Sequence, residues 1–389
     1  MKALSFGILI SFILSFSMVQ AEVYELPREC FDIQDGVLVG IHFIYPPGQG
    51  DICKHFGKHL VIPEGVRGIA GKRGSGVFWA RGLTGVELPE TLEFIEDRTF
   101  AYNNITEINL PAGLKHIGDQ AFRANGIKSL KLNSALRHIG ASAFQNNQIQ
   151  GELIFPRKLT GLGEKSFYGN KLQSISFLGE ELVEIGASAF LGNRLKRLVL
   201  PDGLKKIGSG AFDWNLLEQV RLPESLVEIG GSAFAGSAEG TRQNYPRNHI
   251  KELVIPENVE FIGGYAFQWV GIEKLVFKGS KLQIIKANAF RDNRIEELIL
   301  PNSLRVIGAE AFQSNKIQKL TLPANLQYLG HGSFSWNSLS EFDLNLPSTL
   351  VDMCDSAFYQ TRAQDSIVIP DSTRVHDCRY SSIDLDWEI

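Results

Sequence analysis

Few residues in this 389-residue chain have the types and spacing that chemistry requires. The densest group is Cys53, His55 and His59 in "CKHFGKH", which has the ligand types of a metal site. A disulfide accounts for Cys53 better, for reasons of spacing given below. His116 and His138 stand 22 residues apart in one register and are expected to lie side by side as solvated imidazoles rather than as a ligand pair. Asp213 and Asp292 are the carboxylates nearest a series of large aromatics, but they are scattered where glycan processing needs a close pair. No G-x-S-x-G elbow, P-loop or H-E-x-x-H is present. Catalysis is not supported, and neither a metal nor a cofactor is expected.

What positions these residues is repetition. Phenylalanine recurs at Phe78, Phe100, Phe122, Phe144, Phe167, Phe190, Phe212, Phe234, Phe267, Phe290, Phe312, Phe334 and Phe358, at intervals of 22 to 24 residues with one of 33. Thirteen of the 25 phenylalanines fall in this column, which rules out coincidence. Asparagine follows three residues later in nine units, Asn103, Asn125, Asn147, Asn170, Asn193, Asn215, Asn293, Asn315 and Asn337. Then comes an apolar i, i+3, i+5 segment closed by proline, as in "LKRLVLP", and a second apolar pair with glycine, as in "LKKIG".

A period near 22 is one turn of a solenoid, whose coils bury apolar residues only against their neighbours. The "LxxLxLP" segment is expected to be a strand of a long parallel sheet, ended by proline, with "LxxIG" a second, shorter strand. The Ala-Phe element is expected to be a single helical turn whose phenylalanines stack as a spine. Stacked asparagines can bond the backbone of adjacent coils. These columns are structural, not sites.

The unit "LPxxLxxIGxxAFxxNxLxxLxLP" resembles the Treponema/BspA-type leucine-rich repeat from about Lys58 to Asp365. Val270 and Thr361 depart from it by replacing the asparagine, and Asn133, Gly179 and Gly279 by replacing or displacing the proline. The resemblance implies a secreted or surface protein of the kind implicated in adhesion to host proteins or other cells.

The ends do not repeat. Residues 1–21 read as a secretory signal with cleavage after Ala21, and 22–57 as an N-terminal cap. The solenoid takes 58–365 with an inserted loop at 235–249, and 366–389 form a C-terminal cap. Four cysteines in an exported chain allow three connectivities. Cys30 and Cys53 are 23 residues apart and Cys354 and Cys378 are 24, each one coil, which selects Cys30–Cys53 and Cys354–Cys378. The net charge of -4 with mixed signs argues against nucleic acid, and no later segment is apolar enough to insert in a membrane.

Function is sought where the pattern breaks. Eleven extra residues follow Phe234, in "AGSAEGTRQNYPRNH". After them the position before the isoleucine of "IG" changes from Glu184, Lys206 and Glu228 to Phe261, Ile284, Val306 and Tyr328. The middle of the longer strand changes from Arg221 to Val254, Val276 and Ile299. Large aromatics follow the phenylalanine column at Trp79, Tyr102, Tyr168, Trp214, Trp269, Trp336 and Tyr359. Trp214, Arg242, Tyr245, Phe261, Trp269, Ile284, Val306, Tyr328 and Trp336 are therefore the candidate partner-binding residues, the partner being a host, prey or other cell-surface protein. The rival readings are a glycan bound or processed along the aromatic edge, and a structural envelope component. The protein is expected outside the cytoplasm, whether periplasmic, surface-bound or secreted.

Overall fold

The computed structural model describes residues 27–41, 57–71, 76–236, 247–340, 344–364 and 366–378. Residues 1–21, Cys53, His55, Arg242 and Tyr245 lie outside them. The chain winds as a β-solenoid whose thirteen column phenylalanines are buried and stacked without a break from Phe78 to Phe358. Successive rings are 5.2–5.7 Å apart and within 2–16° of parallel. That spacing is only slightly wider than the separation of about 4.8 Å between paired strands, so the ring stack follows the coil-by-coil repeat of the backbone ladder.

The two strand types exchange the roles expected of them. The two-residue "IG" strands carry the long ladders among the described residues. One is a sheet of seven strands reaching Gly161–Leu162; the other has nine strands from Glu184–Ile185 to Arg374–His376. The longer "LxxLxLP" strands pair only two by two, as Glu252–Ile255 with Lys274–Phe277 and Glu297–Ile299 with Lys319–Thr321. Glycine explains the exchange. A Cβ on Gly208 would lie 2.5 Å from the Ala187 nitrogen, so the coils close up at this column only because it has none. The longer segment carries side chains throughout and ends in proline, which has no N–H to give.

The Ala-Phe element is not a helix. In the Phe212 coil, Ala211 N–H bonds Gly208 O at 3.2 Å and Asp213 N–H bonds Gly210 O at 3.2 Å, giving two overlapping four-residue turns. Its other amides reach across coils, Phe212 N–H to Ala233 O at 2.8 Å. A residue with positive φ, such as Gly210 at 64°, interrupts any helical run.

The asparagines tie each coil to the one before. Asn215 donates from Nδ2 to Phe190 O at 2.9 Å and Phe212 O at 3.2 Å, and its Oδ1 accepts from Leu195 N–H at 3.0 Å. One side chain thereby satisfies three buried backbone groups that the turn would otherwise strand.

At the N-terminal end, Phe31–Gln34 and Val37–Ile41 form an antiparallel hairpin around Asp35-Gly36, both with positive φ as a tight hairpin turn demands. Val37 and Leu38 pair in parallel with Gly68 and Ile69, so Leu38 covers the first coil. At the other end Cys354 and Cys378 are disulfide-bonded with Cα atoms 5.6 Å apart, as their spacing predicts. Cys30 is also disulfide-bonded.

Candidate partner-binding surface

The insertion does not disturb the solenoid that carries it. The Phe234 coil hands over to the Phe267 coil in register, with Phe234 N–H on Ala266 O at 2.9 Å and Glu228 and Ile229 paired with Phe261 and Ile262. The asparagine slot of the Phe234 coil is filled by Asn248, beyond the insertion. It donates to Phe212 O at 2.9 Å and Phe234 O at 3.0 Å and accepts from Leu217 N–H at 3.0 Å. Counting three residues from each phenylalanine misses it. The sequence signal lay downstream, in "NHIKELVIP", which matches "NRIEELILP" from its asparagine onward.

The insertion therefore springs from the corner two residues after the column phenylalanine. That corner is in left-handed conformation in coil after coil, with Gly169 at φ 67° and Gly192 at φ 71° as relaxed occupants. Trp214, Trp269 and Trp336 hold the same corner at 52°, 56° and 58°. A large side chain there costs of the order of 1–2 kcal/mol relative to a comfortable backbone. Trp214 and Trp269 occupy the corners on either side of Gly236, where the insertion leaves; Gly236 N–H bonds Gln268 O at 2.7 Å. Trp336 stands three coils farther on and packs edge-to-face with Tyr359 at 6.3 Å, as Trp79 does with Tyr102 at 6.1 Å.

The "IG" register places Phe261, Ile284, Val306 and Tyr328 in one row, each hydrogen-bonded strand beside the next. This row is less open than its sequence suggests. Ile284 is only 8% exposed, closed over by its neighbours on both sides, and Lys286 Nζ sits 5.4 Å from the Phe261 ring. Ile284 is thus a floor, not a contact, and the row faces a different side of the coil from the corner tryptophans. The longer strands present the open apolar row. Val254 is 41% exposed, Val276 38% and Ile299 64%, in three consecutive coils that directly follow the insertion. Earlier coils expose Ile154 and Val199 in this register, but singly, next to Ser176 and Arg221.

The ionisable residues that the sequence offers for chemistry do not gather into one site. Asp213 is pushed up to about 7 by burial, partly opposed by the Trp214 N–H that bonds its Oδ1 at 2.7 Å. Asp292 is held by Arg291 Nε at 3.1 Å. Three coils part Asp213 from Asp292, roughly 15 Å at about 5 Å per coil. Paired glycosidase carboxyls stand about 5–9.5 Å apart, so these two cannot flank one glycosidic bond. His116 and His138 stack as expected, with centroids 4.8 Å apart and planes within 6°; parallel rings cannot both aim a nitrogen at one ion. Burial and the neighbouring His116 lower the His138 pKa. His59 bonds Glu87 Oε1 at 2.9 Å. Among the described residues no three His, Cys, Asp or Glu side chains gather as a metal site would require.

Residues 71–193, 142–268 and 260–382 match the family described as BspA type Leucine rich repeat region (6 copies). The chain belongs to this family. Membership is consistent with a protein-interaction or recognition role. A leucine-rich repeat protein from Bacteroides ovatus shares the fold at a TM-score of 0.51, with 22% identity over 87% of each chain. A leucine rich cell surface protein from Faecalibacterium prausnitzii aligns at 0.41, with 18% identity over 88% of this chain and 87% of its own. YopM from Yersinia enterocolitica aligns at 0.43, with 21% identity over 82% of this chain and 75% of its own. At such identities the fold alone is shared, and the last two alignments are too loose to argue from. No curated protein sequence matches the chain. No helix among the described residues is long and apolar enough to cross a membrane.

Proposed function

We propose that this repeat protein is exported, has no catalytic activity of its own, and recognises another protein on the face that begins at Trp214 and Trp269 and runs across Val254, Val276 and Ile299. The observation that carries this reading is the open row of three apolar side chains on consecutive coils. Water-exposed apolar groups in contiguous rows are what a partner covers, and charge flanks them here, as at an interface rim. Glu252 pairs in register with Lys274 and Glu297 with Lys319, lining the row with alternating charge. Export is supported by the signal-like residues 1–21 and by the Cys354–Cys378 disulfide, which suits an oxidising compartment. Adhesion to a host, prey or other cell surface is the role that fits.

Photo-cross-linking tests the face. A benzophenone residue at Ile299 should trap a discrete protein species on intact cells, and one at the similarly exposed Val183, outside this row, should not. The same cells should yield a mature protein starting at Glu22 that surface protease removes. Equal trapping at both positions, or a chain retaining Met1, would overturn the reading.

A further inference from the structure

A cavity of about 330 Å³ opens beside the insertion, lined by Arg247, His249, Trp269, Gly271, Asp292 and Arg294. Its existence follows from one coil being smaller than its neighbours. At the position that follows the asparagine slot, occupied by Asn248, Val270 and Asn293, adjacent coils carry His249, Gly271 and Arg294. Gly271 has φ 85°, which excludes most side chains, and a Cβ there would come within 3.0 Å of His249 Nδ1. The middle coil is therefore a trough between two polar rims, with Trp269 as its wall.

The rims are held rigidly. Arg247 and His249 flank Asn248, and Asp292 and Arg294 flank Asn293, both asparagines buried in the ladder. Asn293 Oδ1 also accepts Gly271 N–H at 2.8 Å and Ile272 N–H at 2.9 Å, fixing the floor to one rim. Groups carried on such anchors are positioned before any ligand arrives.

We propose that this trough binds a sugar ring bearing a carboxylate, of the hexuronate class. The Trp269 indole offers a flat apolar wall for the C–H face of a pyranose. Arg291 takes up the neighbouring carboxylates of Asp292 and Glu310, and the exposed Arg294 guanidinium has the planar fork that suits a ligand carboxylate. The Asp292 carboxylate accepts from hydroxyls while Arg291 steadies it, and His249 supplies a further polar edge. The volume suits one ring. A neutral sugar would leave Arg294 without its counter-ion, and an acidic peptide would leave the indole unused and offer Asp292 no hydroxyl to accept from.

Titration of the mature protein with tri-galacturonate, its methyl ester and penta-glutamate, read by calorimetry and tryptophan fluorescence, tests this. Tri-galacturonate should bind saturably, with the ester and the peptide at least tenfold weaker. Arg294→Gln should weaken binding tenfold or more, and so should Trp269→Asn, which keeps a residue tolerant of the left-handed corner. Circular dichroism reports whether each variant folds; Arg294 is exposed, so its variant decides the matter if Trp269→Asn unfolds. No saturable binding by the unmodified protein, equal binding by a folded Arg294→Gln variant, or equal binding of penta-glutamate would each overturn the proposal. None of these outcomes bears on the Ile299 cross-link.

Discussion

Two stretches of the same repeat, one in the seven-stranded sheet before the insertion and one in the nine-stranded sheet after it, have interchangeable interiors and unlike exteriors. Ile95, Ile117 and Ile139 in the first and Ile262, Ile285 and Ile307 in the second are all fully buried, in matching strands. The residues just before them are Phe94, His116 and His138 in one and Phe261, Ile284 and Val306 in the other. Between them lies a charged stretch in which Lys206 Nζ meets Glu228 at 3.2 Å. The backbone tolerates a ring stack, an ion pair or an apolar row without changing register. In this fold the inner columns specify structure, and the outer columns are left free to specify what the surface meets.

The widest test of that division is to cut the spine on both sides of the insertion. Phe122→Ala and Phe290→Ala should each cost about 3–5 kcal/mol in urea unfolding, because a fully buried ring leaves a cavity in a closely stacked column. A large difference between the two would show that the interiors are not equivalent. A smaller effect comes from the asparagine slot. Asn125→Ala and Asn248→Ala should each lose about 1–3 kcal/mol, since a backbone N–H, of Ile105 or Leu217, loses its acceptor. If Asn248→Ala costs far less in the same urea experiment, the slot beyond the insertion is not a true member of the ladder.

The smallest effect separates the two regions by pH. Asp213 titrates near 7 in the folded chain against an ordinary 3.8, so the native state holds its proton more tightly. Its contribution to stability is therefore lost as pH rises from about 4 to 7. His138 is depressed below its ordinary 6.5, the unfolded chain binds the proton first, and its contribution is lost as pH falls below that value. Asp213→Asn should raise the melting temperature at pH 8 by about 2 °C or more and leave it unchanged near pH 3. His138→Gln should instead reduce acid sensitivity below pH 6.5. Calorimetric melts across this range would show opposite slopes removed by the two variants.

Most of the fold was legible because its core residues are restated in every coil. The phenylalanine column, the asparagine contacts and the Cys354–Cys378 pair all follow from spacing. Which strand carries the long ladder was not legible. Both segments show apolar residues at strand-like intervals, and the decision rests on how near two backbones approach at glycines such as Gly208. The surface was legible in composition but not in exposure. Ile284 reads as part of an outward row, yet its burial depends on the bulk of Phe261 and Val306 beside it. The trough at Gly271 depends likewise on comparing three coils at a position where glycine looks unremarkable in each.

Asn248 has a consequence for the covalent continuity of the chain. Coils here bond their neighbours across the stack, so the Phe234 coil is secured by Ala266 above it and by Leu217 and Phe212 below it. A protease cut anywhere in 237–246 would separate the polypeptide into two fragments without severing any of those bonds. The Phe234 and Phe267 rings, 5.2 Å apart, would still belong to opposite fragments of one unbroken stack. The two pieces should then behave as a split protein that holds together without a peptide link, and the break is a natural port at which foreign sequence can be spliced in.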